Sequence, residues 1–347
     1  MPNSSSNGGA QFVSAQQVAE RAGVSRSAVS RAFTPGASVA SETRKKVMQA
    51  AEELGYQVND LARGLLTNRT RLVGLVVTKP EVGFRALLVA ALTKALIARG
   101  SVPMMINTGQ SAVEMAAAQQ TLFGHRAEAT IILSGSPPAS FVDLARRNGQ
   151  PLIVIGRSEP DADHVQIDNA TAAEQAVSAF QAQGMTRLGL ASSETRTPSI
   201  VERETAFLAA AGARGLDVQH VRGSDSDYAG GLDAARQLLD GTHRPQAIFC
   251  VTDLIAFGLM DYARHAGLTI PADLLVIGFD DITQASWLGY ELTTFRQDPE
   301  LMAQAAVDIL DLRQADPDMP PARISIPAPL VVRKSFVPVS FASESTS

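Results

Sequence analysis

The chain has 347 residues, 45% of them hydrophobic and 19% charged, with one cysteine and a formal net charge of −5. That length exceeds what one core usually organises and predicts two or three domains, and no apolar run approaches the ~20 residues of a membrane span. An acidic chain argues against a nucleic-acid binder, but the average hides an asymmetry: Gln11 to Arg71 carries nine Lys/Arg against five Asp/Glu, a balance of +4, and the remainder carries −9. A basic head on an acidic body predicts that only the head meets a polyanion.

Residues 1–10 are rich in Ser, Asn and Gly and predict a disordered tail. They lack the basic and apolar regions of a secretory signal, so a cytoplasmic location is expected. Residues 11–57 predict a small three-helix domain. Ser14 and Gln17 form a capping box, Val18, Ala19 and Ala22 a helical stripe, and Gly23 a stop. Ser25 caps a second helix, Arg26 to Phe33, with Ala28, Val29, Ala32 and Phe33 on its apolar side. A third runs from Ser41 to Leu54 and stops at Gly55. Two short helices joined by a Gly-containing turn make a helix-turn-helix, whose outward Ser25, Arg26, Ser27, Ser30 and Arg31 suit phosphates and base edges.

Residues 58–71 contain "NDLARGLLTNRTR", with three leucines and three arginines in a helical rhythm. A helix of about ten residues is marginal alone, and Gly64 costs it about 1 kcal/mol relative to alanine, so this connector is expected to be unfolded when free. From Leu72 the pattern becomes β-α alternation: "LVGLVV", "VPMMIN", "ATIIL" and "PLIVIG" predict buried parallel strands separated by helices, and "RLGLA", "VQHV", "AIFCV" and "LLVIGFD" a second such set. Two doubly wound sheets place a ligand cleft beyond the carboxyl ends of their strands. The candidate cleft residues are Thr78 to Phe84, Asn107, Ser134, Arg157, Ser192 to Pro198, Asp225, Thr252, Asp253, Asp280 and Asp281. Their hydroxyls, amides, carboxylates and guanidinium groups suit a small polyhydroxylated solute, best a sugar. Cys250, inside "AIFCV", reads as a small buried hydrophobe. The adjacent carboxylates Asp280 and Asp281 have no accompanying histidine, and GxSxG and P-loop motifs are absent, so neither an enzyme, a metal nor a cofactor is implied.

The pieces "VAERAGVSRSAVSRAF", "TRKKVMQAAEELGY", "NDLARGLL", "LLVIGFDD" and "LTTFRQ", in this order, resemble the lac repressor (LacI/GalR) family of bacterial transcription regulators from about Val13 to Val337. The resemblance implies an α/β protein: a helix-turn-helix domain before a bilobal periplasmic-binding-protein-like body of two doubly wound parallel sheets. The body would span 72–337, with lobe 1 over about 72–167 and 298–320, lobe 2 over 168–297 and 321–337, and a tail over 338–347. Asp298 to Leu312 would return to the first lobe and Ile324 to Val332 would finish the second. Arg26 and Ser27 stand where the family's specificity pair stands, and Ser14, Asn59 and Arg63 complete the expected DNA contacts. Leu65 would enter the minor groove, while Leu61 and Ala62 face a partner's connector. Val58 and Gly64 depart from the family pattern and put the connector helix's stability in doubt. Arg203 and Asp280 match effector-binding positions. Phe84 and Trp287 are candidate ring platforms and Arg157 a further donor. Thr252, in place of a frequent asparagine, precedes Asp253. The implied function is a homodimeric repressor of operator DNA switched by a small carbohydrate, as inducer or co-repressor. A solute-binding protein with a vestigial head and a sugar-processing enzyme are the alternatives. No leucine heptad follows Val332, so a dimer is expected rather than a tetramer.

Overall fold

The computed structural model describes residues 12–34, 36–58, 70–109, 111–133, 139–156 and 162–338. The chain divides into two compact units, Met1–Thr70 and Arg71–Ser347.

The head contains α1 (Ala15–Ala22), α2 (Arg26–Ala32) and α3 (Ser41–Leu54). The Ser14 hydroxyl accepts the Gln17 N–H at 3.3 Å, and the Ser14 N–H donates to the Gln17 side chain at 2.8 Å, closing the capping box. Gly23, at φ 67°, ends α1 in the left-handed conformation, which glycine adopts without the steric cost of a Cβ. Val18, Ala19, Val29, Ala32, Val47, Ala50 and Ala51 form the core. Arg44 of α3 donates to the carbonyls of Ala32 at 2.6 Å and Ala37 at 3.3 Å, satisfying the end of α2. A core this small needs such ties.

The body holds two six-stranded sheets. The first contains β1 (Leu72–Val77), β2 (Val102–Asn107), β3 (Ala129–Ile132), β4 (Leu152–Ile155), β5 (Asp163–Ile167) and β11 (Arg323–Ile326), in the order β11-β5-β4-β3-β1-β2. Every pairing in it is parallel. Helices α4 (Phe84–Arg99), α5 (Ala112–Gly124) and α6 (Ala139–Arg147) alternate with its strands. The second contains β6 (Arg187–Ser193), β7 (Asp217–Gly223), β8 (Ala247–Cys250), β9 (Leu275–Asp280), β10 (Thr293–Arg296) and β12 (Leu330–Val331), in the order β12-β10-β9-β8-β6-β7, with β12 antiparallel to β10. Its helices are α7 (Asn169–Ala182), α8 (Pro198–Ala213), α9 (Tyr228–Leu239) and α10 (Asp253–His265). The last long helix, α11 (Pro299–Ala315), packs on α4 and so belongs to the first lobe. Apolar strands such as β1, buried along their whole length, are what a sheet covered on both faces requires.

One boundary is corrected. β11 pairs with β5 from Arg323↔His164 to Ile326↔Ile167, so the chain stays in the first lobe through Ile326 and only β12 finishes the second. The segment from 321 therefore does not open the second lobe. A partly buried ion pair secures this arrangement: Arg313 of α11 donates to both oxygens of Asp163 at 2.8 Å, and the Ala322 N–H joins them at 2.7 Å.

Candidate DNA-reading face and ligand cleft

Helix α2 buries Ala28, Val29 and Ala32. At a period of 3.6 residues this leaves Ser25, Arg26, Ser27, Ser30 and Arg31 exposed together. Ser25 caps the helix by accepting the Ala28 N–H at 3.2 Å, and its hydroxyl lies 2.9 Å from that of Ser27. Among the described residues Arg31 reaches only the Ser27 carbonyl, at 3.4 Å. The Ser14 hydroxyl is committed to its cap. Asn59, Arg63 and Leu65 lie outside the described residues, as do Leu61 and Ala62.

In the body, a cavity of about 150 Å³ opens beyond the carboxyl ends of the strands. The first lobe supplies Phe84, Arg85, Leu88, Leu133 and Ile155, the second Arg203, Ser226, Thr252, Leu254 and Asp280, and the segments between lobes Asn169 and Gln297. Gly83, at φ 57°, lets the first lobe approach the second closely, since a Cβ there would stand 3.1 Å from Leu254.

Arg203 is 3% exposed and rises from α8. It donates through Nε to Asn169 Oδ1 and through Nη1 to the Val251 carbonyl, each at 2.7 Å, and lies 3.6 Å from Asp280. Its guanidinium stacks 3.4 Å from the centre of the Phe279 ring. Burial pulls its pKa down to about 10, which leaves it a cation at neutral pH. Asp280 accepts from Gln297 Nε2 at 2.5 Å. Burial pushes its carboxyl up to about 6 against the opposing pull of Arg203. Both groups thus remain charged at pH 7 in a low-dielectric site, where an arriving hydroxyl finds a donor and an acceptor already oriented.

Phe84, Arg203, Thr252 and Asp280 come together as expected. Asp253 and Trp287 do not line the cavity. Asp253 is wholly buried, accepting the Ile282 N–H at 2.9 Å and the Thr294 hydroxyl at 2.5 Å. It fastens the start of α10 to β10, and burial pushes its pKa well upward. Its place is open because Gly278 has no Cβ, which would sit 2.5 Å from the carboxylate. Trp287 follows the turn Thr283–Ser286 and is 53% exposed. Asp281 binds Arg296 and Arg333, each at 2.7 Å, and Asn107 lies off the cavity lining. Asp225 meets Lys79 Nζ at 2.7 Å, joining the loops after β7 and β1. Arg157 and Ser134 lie outside the described residues. Cys250 is fully buried, and burial pushes its thiol up.

Residues 15–59 match the description "Bacterial regulatory proteins, lacI family", and residues 177–336 match "Periplasmic binding protein-like domain". The ribose operon repressor of Escherichia coli (strain K12) is 30% identical over 326 residues, which cover 92% of this chain and 98% of the relative. The chain belongs to the LacI family. It is a DNA-binding transcriptional regulator, and the relatives it matches are regulators rather than enzymes. A lac repressor dimer bound to operator and the anti-inducer ONPF superposes with a TM-score of 0.85 at 24% identity, covering 94% of this chain and 100% of that one, which shows the common fold. A complex of the transcriptional regulator CelR with cellobiose matches with a TM-score of 0.69 at 28% identity, covering 93% and 99%. Among the described residues, no helix is long and apolar enough to cross a membrane.

In this LacI-family regulator the cavity residues that sequence reasoning missed include the polar Arg85, Asn169, Ser199, Ser226 and Gln297 and the apolar Leu88, Leu133, Ile155, Leu254 and Met302. Asn169 and Gln297 follow β5 and β10. The rule of reading off strand ends would have found both had those two strands been identified.

Proposed function

We propose that this regulator is a repressor that reads a pseudo-palindromic operator as a homodimer and is switched by a small carbohydrate held between its lobes. The exposed Ser/Arg face of α2 supports the operator role, with Arg26 and Ser27 facing bases and Ser25, Ser30 and Arg31 facing backbone or bases. Asn59, Arg63 and Leu65 complete the contacts through the connector. Edge strand β2, with Val102 at 45% and Met105 at 53% exposure, presents apolar groups of the kind a second copy covers, and the lac repressor with the same fold is a dimer on its operator. For the ligand, the small cavity with Phe84 as a ring platform supports a carbohydrate, as does the cellobiose bound by CelR.

The observation that carries the switch is the wiring of Arg203 and Asp280 to two of the segments that cross between lobes. Arg203 holds Asn169, at the passage from β5 to α7, and Asp280 holds Gln297, at the passage from β10 to α11. An occupant that engages this pair biases both crossings, and so stabilises one angle between lobes over another. Paired connectors then come together or separate, which alters operator affinity.

Fragments upstream of this gene and its neighbours, in a mobility-shift assay, are expected to bind the full-length protein. Arg26→Ala is expected to weaken that binding by at least about tenfold, one lost bidentate base contact. Arg203→Ala is expected to leave DNA binding intact and abolish the response to ligand. Unchanged response in Arg203→Ala removes the cleft from the switch, and absence of binding to every fragment refutes the repressor.

A further inference from the structure

Arg85, the second residue of α4, lines the cavity from the first lobe and is half-buried. Among the described residues its guanidinium has no hydrogen bond and no ion pair. The other charged groups on the described lining are Arg203 and Asp280, which offset one another, so the described lining carries one cation in excess. Two of the carboxylates that act on it are engaged elsewhere: Asp225 by Lys79 at 2.7 Å, Asp280 by Gln297 at 2.5 Å and by Arg203. Burial pulls the Arg85 pKa down, with Asp225, Asp280 and the exposed Glu81 only partly opposing it. That is the behaviour of a cation that has lost water without gaining a partner. Apolar Phe84, Leu88, Leu133 and Ile155 share its side of the cavity, and closing a ligand against such a wall would strip further water from the guanidinium. A planar fork of N–H donors that lacks a protein partner in a low-dielectric site pairs most strongly with an oxyanion taken bidentately.

We infer that the ligand of this cleft is a carbohydrate bearing one oxyanion, carboxylate or phosphate, which pairs with Arg85 while its hydroxyls meet Arg203 and Asp280. This rests on the carbohydrate-cleft reading above and narrows it from neutral sugars to charged ones. Arg85 is then the specificity residue that separates a sugar from its acid or phosphate ester.

The test uses full-length protein and six probes, followed by thermal shift and titration calorimetry: ribose and glucose, ribonate and gluconate, ribose 5-phosphate and glucose 6-phosphate. At least one charged probe is expected to bind at least about tenfold more tightly than its neutral parent, and the arm that responds assigns the oxyanion. Arg85→Gln is expected to lose about 10- to 100-fold for that probe, the range for a hydrogen bond to a charged group, while leaving the neutral parent unchanged. Arg85→Lys, which keeps the charge without the fork, is expected to recover part of it. Operator binding and unliganded melting of both variants near wild type exclude a folding defect. A neutral sugar that binds as well as its charged forms, or an Arg85→Gln loss equal for all probes, overturns the inference. If Arg203→Ala still abolishes binding in that case, the cleft reading survives. Silence from all six probes overturns the inference.

Discussion

Asp280 concentrates the chemistry of the cleft in one residue. It sits at φ 133°, a region that costs an L-residue energy, and such strain persists where the surroundings over-determine the conformation. Here Gln297 binds both its carboxylate and its backbone carbonyl, at 2.5 and 3.2 Å. Its carboxyl, raised by burial from an ordinary 3.8 to about 6, holds a proton more tightly in the folded protein than in the unfolded chain. Its contribution to stability is therefore greatest below 3.8 and is lost as pH rises toward about 6. The ionised form at neutral pH works against stability and serves binding. Ligand affinity is accordingly expected to fall as pH drops below about 6, by up to about tenfold per pH unit for a single essential ionisation. A carboxylate probe, whose own proton leaves near ~4, keeps its charge through most of that window. Calorimetry from pH 5 to 8 measures the slope, and Asp280→Asn should bind weakly with a flat profile. A wild-type profile as flat as the variant's would mean that Asp280 accepts nothing from the ligand.

At the scale of elements, legibility followed hydrophobic pattern. The largely apolar runs of β1, β3, β4, β8 and β9 and the capped first helix of the head were readable because burial on both faces, or a Ser followed three residues later by Gln, leaves a direct signature. β5, "DHVQI", and β10, "TTFR", were not, because their buried polar residues are satisfied by partners far along the chain: Asp163 by Arg313, Thr294 by Asp253. Missing those strands hid Asn169 and Gln297 and misplaced β11. Asp253 was misread for a related reason. A carboxylate after a strand is equally placed for a ligand or for a neighbouring backbone, and only the contacts to Ile282 and Thr294 decide. The loops after β1 and β7 add a tie that no local pattern announces, Lys79 to Asp225. Lys79 is 52% exposed, so the bridge is worth about 0.2–1 kcal/mol. If it holds the lobes in the arrangement that grips ligand, Lys79→Gln should weaken ligand affinity by up to about fivefold at low salt, the equivalent of 1 kcal/mol. The difference from wild type should shrink at ~1 M salt, where the Debye length is about 3 Å. Identical affinities at low salt would show that the bridge favours no arrangement.

Across the whole molecule, charge is divided by task. A segment of +4 from Gln11 to Arg71 precedes a remainder of −9. The acidic remainder is repelled by DNA, so attraction is confined to the segment that carries the exposed α2 face. Its strength should come from phosphates whose counterions are released on binding. A dimer making six to ten phosphate contacts would lose about 10³- to 10⁵-fold in operator affinity between 50 and 200 mM salt. Ligand binding measured without DNA should change far less, because Arg203 and Asp280 are buried and Arg85 half-buried, and such charges are poorly screened. Coupling between the two sites is reciprocal: whatever factor the ligand imposes on operator affinity, operator must impose on ligand affinity, typically about 5- to 150-fold. Titrating ligand into protein with and without saturating operator, at one fixed salt concentration, measures that factor from one side, and mobility shift with and without ligand measures it from the other. The two factors should agree, with a decrease in both directions identifying an inducer and an increase a co-repressor. A measurable effect of ligand on operator binding with none of operator on ligand would mean that the ligand acts elsewhere than on the equilibrium between lobe angles.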